Sequence, residues 1–402
     1  MARAVSPQLE SGLSTQAGAT RWDVVVVGAG VAGGLAALDC ARRGLRVLLV
    51  EKRSFPRWKV CGCCFNNQAQ AVLAAVGQQE LIADRGGLPL HRLRLGLNGV
   101  EATVGLPGGQ VLSRERFDQA LAEAAAAAGA SVRFQTSAAI EASERGWRTV
   151  RLTPSNGRAA SRVQARVVLI AAGLVHHVVP DQEGCQPWVA PRSRVGAGCV
   201  LRARTAGYEP GTIHMAIGSG GYVGLVRRED GELNLAAALD RSAVAEAGGA
   251  AGAVRAVLHQ AGFAALQGID SARWQLTPPL TRRNGRLAGD RFLVLGDAAG
   301  YVEPFTGEGM AWALTAGAAA APFVLEGLQH WSPDLERRWQ QRMRRSLIRR
   351  QRMCRSLAWL LRRPAPTSAV FALVRRWPHI PERIVSGLNR VSLPPMGPTS
   401  CP

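Results

Sequence analysis

Val24 to Val27 is an unbroken β-branched run, and Arg46-Val-Leu-Leu-Val-Glu51 is a second apolar run of the same length. Neither alternates with polar residues, and continuously apolar strands are those buried on both faces of a parallel sheet. A glycine-rich turn and an Ala/Leu-rich stretch of helical character lie between them. RVVLIAAG, from Arg166 to Gly173, and Phe292 to Leu295 repeat the buried-strand pattern much later. The spacing predicts an α/β unit with a parallel sheet. TIHMAIG, from Thr212, reads as a strand of a separate sheet. Near the carboxyl end, Trp339, Met343, Leu347, Cys354, Leu357, Ala358 and Leu361 recur every three to four residues. That spacing predicts an amphipathic helix stopped by Pro364, with a shorter one from Val370 to Trp377.

A chain of 402 residues exceeds what one core usually serves, so two packed domains are expected. The formal charge is +20, and Lys52 and Lys59 are the only lysines. From Arg337 to Arg390 there are fifteen arginines against one acid, Glu382. Residues 1–22 read as a disordered polar tail, not a signal peptide. The longest apolar run, Gly309 to Leu325, falls short of the roughly 20 residues of a spanning helix and contains Pro322. Eight cysteines, three of them between 61 and 64, do not suggest a disulfide framework. A cytoplasmic location is expected.

The turn after the first strand supplies candidate chemistry. Gly28, Gly30 and Gly33, with Ala29 between the first two, form G-x-G-x-x-G. The first glycine makes the turn, the second lets backbone approach a pyrophosphate, and the third lets helix and strand pack closely. The helix start points amides at the phosphates. Glu51 ends the second strand where an acid accepts ribose hydroxyls and repels a 2′-phosphate, and Lys52 follows it. That leaves FAD or NAD. The late segment GDAAGYVEPFTGEG, from Gly296 to Gly309, decides between them. Asp297 stands where a carboxylate would receive a polyol chain, which FAD has and NAD lacks. A helix starting near Gly307 would aim its positive end at a flavin ring. The segment reads as the flavin half of a two-part FAD site.

Four motifs together resemble the flavoproteins of the para-hydroxybenzoate-hydroxylase fold, closest to the geranylgeranyl reductase-like and flavin-dependent halogenase-like branches. They are G-A-G-V-A-G with Glu51, FPRWKVCG (Phe55 to Gly62), LSRERFDQAL (Leu112 to Leu121) and GDAAGYVEPFTGEG. The resemblance implies a Rossmann-like (GR2-type) α/β FAD-binding domain interrupted by a mixed β-sheet substrate domain. The FAD-binding domain would comprise 23–90, 111–185 and 285–330, the substrate domain 91–110 and 186–284, and a basic helical arm 331–402. It further implies Arg114 near the FAD phosphates, Asp297 at the ribityl, Pro304, Gly307 and Gly309 along the flavin ring, and Cys61 facing it. Three departures matter. Ala171-Ala172-Gly173 replaces the Asp-Gly pair of many hydroxylases. The halogenase W-x-W-x-I-P signature is missing from the sequence. The prenyl-reductase Tyr-x-Trp-x-Phe-Pro stretch retains only Tyr222, with Gly224, Val226 and Arg227 in place of the rest. Losing two rings would widen the cavity, and Arg227 would meet an anionic head.

Cys61 and Tyr222 are the candidate proton donors. Cys61 and Cys64 also form a C-x-x-C, which suits a redox pair, inert packing, or less readily a metal. His214 is a candidate substrate-facing residue, and His176-His177 are candidate turn residues near the adenosine. The basic arm suits an anionic membrane surface or packing over the FAD domain; nucleic-acid binding is not expected. The expected activity is FAD-dependent reduction or dehydrogenation of C–C bonds in a hydrophobic, isoprenoid- or polyketide-like substrate. The electron donor stays open among NAD(P)H, ferredoxin and quinol. The alternatives are an FAD monooxygenase working through a flavin hydroperoxide, and a non-enzymatic prenyl-partner binding protein.

Overall fold

A computed structural model describes residues 20–174, 178–179, 187–202, 206–303, 308–360 and 363–376. Two large sheets organise it. The first has eight strands. Its parallel centre runs Phe292–Val294, Ser161–Ile170, Thr20–Val27, Val47–Val50, Ser131–Arg133 in spatial order. Val24, Val25, Val26, Leu48, Leu49 and Val167 to Ile170 are all fully buried, which is why these runs show no polar alternation. The outer edge of Ser161–Ile170 is divided. Its first half pairs with the antiparallel hairpin of Thr136–Glu144 and Trp147–Pro154, and its second half pairs with Phe292–Val294.

Helices Val31–Arg42 and Arg114–Ala127 pack on this sheet, and the first also carries helix Gly309–Ala318. The last, with Ala320–Gln329, forms a stretch long and apolar enough to cross a membrane by composition, yet most of it is buried inside the fold.

The second sheet has seven strands. Their order is Gln275–Pro279, Val195–Leu201, Leu233–Leu239, Gly221–Arg227, Thr212–Gly218, Arg92–Leu97, Val100–Gly105. It is mixed, because Arg92–Leu97 lies parallel to Thr212–Gly218 while the other pairs are antiparallel. Helix Ala250–Ala261 covers one face with Ala253, Val254, Val257 and Leu258. The architecture is the expected α/β dinucleotide-binding unit interrupted by a mixed sheet.

The basic arm contains helices Pro333–Leu360 and Pro364–Arg376. Pro364 therefore opens the second helix, ahead of the expected Val370, because proline suits a first turn whose N–H has no partner to lose. Leu335, Trp339 and Met343 are buried, and Trp339 Nε1 donates to the Val294 carbonyl over 3.2 Å. The first half of the long helix is thus clamped to the parallel sheet.

Candidate FAD site

The strand register sets the site. Val27 pairs with both Val50 and Ile170, and Ile170 pairs with Val294. Gly28, Glu51, Ala171 and Gly296 therefore leave the sheet along one edge, and the two distant glycine-bearing strand ends converge.

The three glycines of the first turn do different work. Gly28 has φ +103°, and a Cβ on it would lie 2.4 Å from the Ala171 carbonyl oxygen. A Cβ on Gly33 would lie 1.8 Å from the Gly28 oxygen. Both are required by the protein's own backbone. Among the described residues, a Cβ at Gly30 would meet nothing nearer than Arg114 Nη2, at 3.8 Å. Space is kept there that the fold does not use, beside the positive end of helix Val31–Arg42. The donors that flank it suit a pyrophosphate. Ala29 is buried, and its N–H donates to Glu51 Oε2 over 3.1 Å, so the turn and the strand-end acid hold each other. Glu51 Oε1 accepts from the Arg53 N–H at 3.1 Å, and Arg57 lies 3.3 Å from Oε2.

Arg114 is the first residue of its helix, placed there by the Ser113 cap, whose hydroxyl accepts from the Arg116 N–H. Its guanidinium is buried and grips Asp118 through two bonds of 2.8 and 2.7 Å. Burial opposes its charge, but Asp118 and the Cys61 sulfur more than offset that, and its pKa is raised.

The Phe55–Cys64 segment passes between the two sheets. A Cβ at Gly198 would lie 2.7 Å from the Leu235 carbonyl oxygen, 3.1 Å from Val60 and 3.2 Å from the Trp58 ring, so the neighbouring strand and this segment both crowd that glycine. Asn234, fully buried, donates Nδ2 to the Cys61 carbonyl at 2.8 Å. Cys61 Sγ accepts from the Cys63 N–H at 3.4 Å, and Cys63 Sγ donates to the Cys61 carbonyl at 3.6 Å. The hydrogen bond from Cys63, helped by Arg114, outweighs burial and holds the Cys61 thiol down at about 6. Cys63 is pushed well up by the same pairing, and Cys64 is pushed up to about 12 by burial. The pKa of Lys59 is lowered by burial and then by Arg114, with Asp297 working in the other direction.

One cavity of about 700 Å³ joins these parts. Gly28, Gly30, Glu51, Lys52, Cys61, Arg114, Tyr222, Asp297 and Gly309 all line it. It continues past Cys61 into an apolar chamber walled by Leu93, Ile213, Met215, Leu276 and Leu280. Tyr222 reaches the chamber from strand Gly221–Arg227, with the Arg194 guanidinium 5.6 Å from its ring centroid. Arg194 is itself buried, 3.4 Å from both Glu303 and Asp240.

Several expectations change. Gly33 packs helix against strand as expected, and neither it nor Ala29 lines the cavity. His214 points away from the chamber, because alternation along its strand gives the wall to Ile213 and Met215. It is fully buried against Tyr208 and Phe263, and burial pushes its pKa down to about 4. Arg227 donates to the carbonyls of Tyr208 and Gly231, at 2.6 and 2.9 Å, and meets no chamber. The described helix begins at Gly309, two residues past Gly307. Pro304, Gly307, His176 and His177 lie outside the described residues. Lys59 and Asn234 went unassigned in the sequence. One signal pointed to Lys59: it is one of two lysines in a chain that otherwise uses arginine. Asn234 gave none.

Fold, cradle and strand-end acid define a dinucleotide-binding flavoprotein. Residues 21–186 match the FAD binding domain family. The chain carries this FAD-binding domain on a fold similar to that of the FAD-dependent oxidoreductases of the para-hydroxybenzoate-hydroxylase type. It is similar to the menaquinone reductase of Mycolicibacterium smegmatis, with 26% identity over 86% of each chain. A shorter stretch is 38% identical to the digeranylgeranylglycerophospholipid reductase of Methanosarcina mazei, over 29% of this chain and 30% of that one. In fold it resembles p-nitrophenol 4-monooxygenase of Pseudomonas putida, with a TM-score of 0.73, 17% identity, and coverage of 92% of this chain and 98% of that one.

Proposed function

We propose that this protein is a reductase that saturates a C–C double bond in an isoprenoid lipid. The observation that carries the reading is a single cavity linking a phosphate cradle at Gly30 to an apolar chamber, with a thiol of lowered pKa at the junction. Gly30, Arg114, Glu51 and Asp297 would hold FAD, as diphosphate space, cationic donor and two polyol-accepting carboxylates. Bound flavin supplies the reducing equivalent.

The remaining chemistry belongs to the chain. Leu93, Ile213, Met215 and Leu280 exclude water and accept a branched hydrocarbon. Cys61 Sγ delivers the proton that completes saturation. A thiol near 6 is a far stronger acid than an ordinary one, and the thiolate left behind is held by the Cys63 N–H and by Arg114. Asn234 fixes the carbonyl of Cys61 and so aims the thiol. Tyr222 is the second candidate donor, positioned from the other sheet. The names of the menaquinone and digeranylgeranylglycerophospholipid reductases support an isoprenoid substrate, and the chamber replaces two expected aromatic rings with Gly224 and Val226.

The test is anaerobic. Dithionite-reduced holoprotein is mixed with a polyprenyl quinone or a geranylgeranyl phospholipid, and the lipid is weighed by mass spectrometry. Gain of two hydrogens within the isoprenoid chain, read by fragmentation after any quinol has been reoxidised, is the expected result. Unchanged lipid anaerobically, with gain of an oxygen atom once air is admitted, would instead make it a monooxygenase.

A further inference from the structure

The arm carries more than its packing explains. Thr367 and Phe371 of helix Pro364–Arg376 point inward, one turn apart. Phe371 belongs to the apolar cluster that contains Met215, Tyr222, Leu280, Leu93 and Tyr301, all of them cavity-lining residues. The helix lies on strand Val100–Gly105, and Asn98 Nδ2 donates to Ser368 Oγ over 3.3 Å. This helix therefore backs the apolar chamber.

Its outer side is unusual for a soluble surface. Val370 and Leu373 are 43% and 44% exposed, and Trp359, near the end of the preceding helix, is 57% exposed. The Arg363 guanidinium sits 3.6 Å from the Trp359 ring centroid. Ala369, Ala372 and Arg376 are exposed as well. Between Arg349 and Arg376 the sequence has eight arginines and no acid. A tryptophan with arginines and aliphatic side chains, free of carboxylates, matches the interfacial zone of an anionic bilayer.

We propose that the exposed face of Trp359, Arg363, Val370, Leu373 and Arg376 docks on an anionic lipid bilayer, placing the helix that backs the chamber against the membrane. Aliphatic and indole groups enter the headgroup boundary while arginines meet lipid phosphates. Each arginine strengthens such binding roughly fivefold at low salt. The inference stands on the arm alone and does not rest on the reductase reading.

The experiment uses the full chain and sucrose-loaded vesicles of phosphatidylcholine, with or without a quarter phosphatidylglycerol. The protein is expected to sediment with the anionic vesicles, to stay in solution with the neutral ones, and to be released at high salt. The double variant V370E/L373E changes two exposed residues, so its circular dichroism should match that of the wild type while its vesicle affinity falls about tenfold. Wild-type affinity in that variant would overturn the proposal. So would equal binding to neutral vesicles, or displacement from anionic vesicles by a single-stranded RNA oligomer that binds more tightly, which would make the arm a nucleic-acid surface. Because no turnover is measured, failure here leaves the proposed reaction intact.

Discussion

The two sheets show how differently a chain records its obligations. The parallel sheet ends in a cradle whose residues are set by backbone geometry. Gly28 and Gly33 have carbonyl oxygens where a Cβ would go, so no other residue type fits. The mixed sheet also builds part of the cavity, but with side chains that only need to be apolar and suitably sized. Met215, Ile213 and Leu280 could exchange among several residue types without loss of the wall. Cofactor chemistry is therefore written in residue identity, whereas substrate preference is written in shape.

The largest test of that contrast is Gly33→Val. With the Gly28 oxygen 1.8 Å from the new Cβ, the turn must move, and a loss of more than about 4 kcal/mol is expected. The variant should be found unfolded or insoluble by circular dichroism. A Met215→Leu change on the other sheet should cost less than about 1.5 kcal/mol. Comparable losses at both positions would erase the distinction.

Cys61 lies at the junction of the two regions. Its carbamidomethylation by iodoacetamide should be half-maximal near pH 6, not near 9 as for an ordinary thiol. Cys61→Ala should lower anaerobic turnover about a hundredfold while flavin stays bound. The protonated fraction falls as pH rises past 6, so turnover should decline on the alkaline side.

A smaller effect comes from the far face of the mixed sheet. The folded-state pKa of His214, about 4, lies below the ordinary value, so on acidification the unfolded chain takes up a proton first. Stability is then full above the ordinary histidine range and falls as pH drops toward 4, by on the order of 3 kcal/mol. Chemical denaturation across that window should show the slope, and His214→Gln should flatten it.

Much of the fold was legible because buried parallel strands leave continuous apolar runs and the phosphate turn leaves glycines. The strand-end acid and the late Gly296-Asp297 pair were legible for the same reason. Residues fixed by approach across the chain were not. Asn234 sits in an ordinary strand, and only the fold brings it to the Cys61 carbonyl. The direction of His214 depends on strand parity, which its run alone does not define. Pro364 follows the end of the long helix, as expected, and also opens the next one, because proline ends one helix and starts another with equal ease. Trp339 and Met343 belonged to a stripe that served a core or a membrane equally well until the fold placed them on the parallel sheet.

The central claim is that space beside Gly30 is reserved for a nucleotide. Gly30 has φ −77° and ψ −171°, values open to valine, and among the described residues a Cβ there meets no atom within ordinary contact except Arg114 Nη2 at 3.8 Å. The direct measurement is the FAD released per folded chain by wild type and by Gly30→Val, alongside thermal melting of both apoproteins. The account predicts closely matching melting temperatures, with flavin bound by the wild type and lost from the variant. A variant that melts normally and retains flavin like the wild type would contradict it.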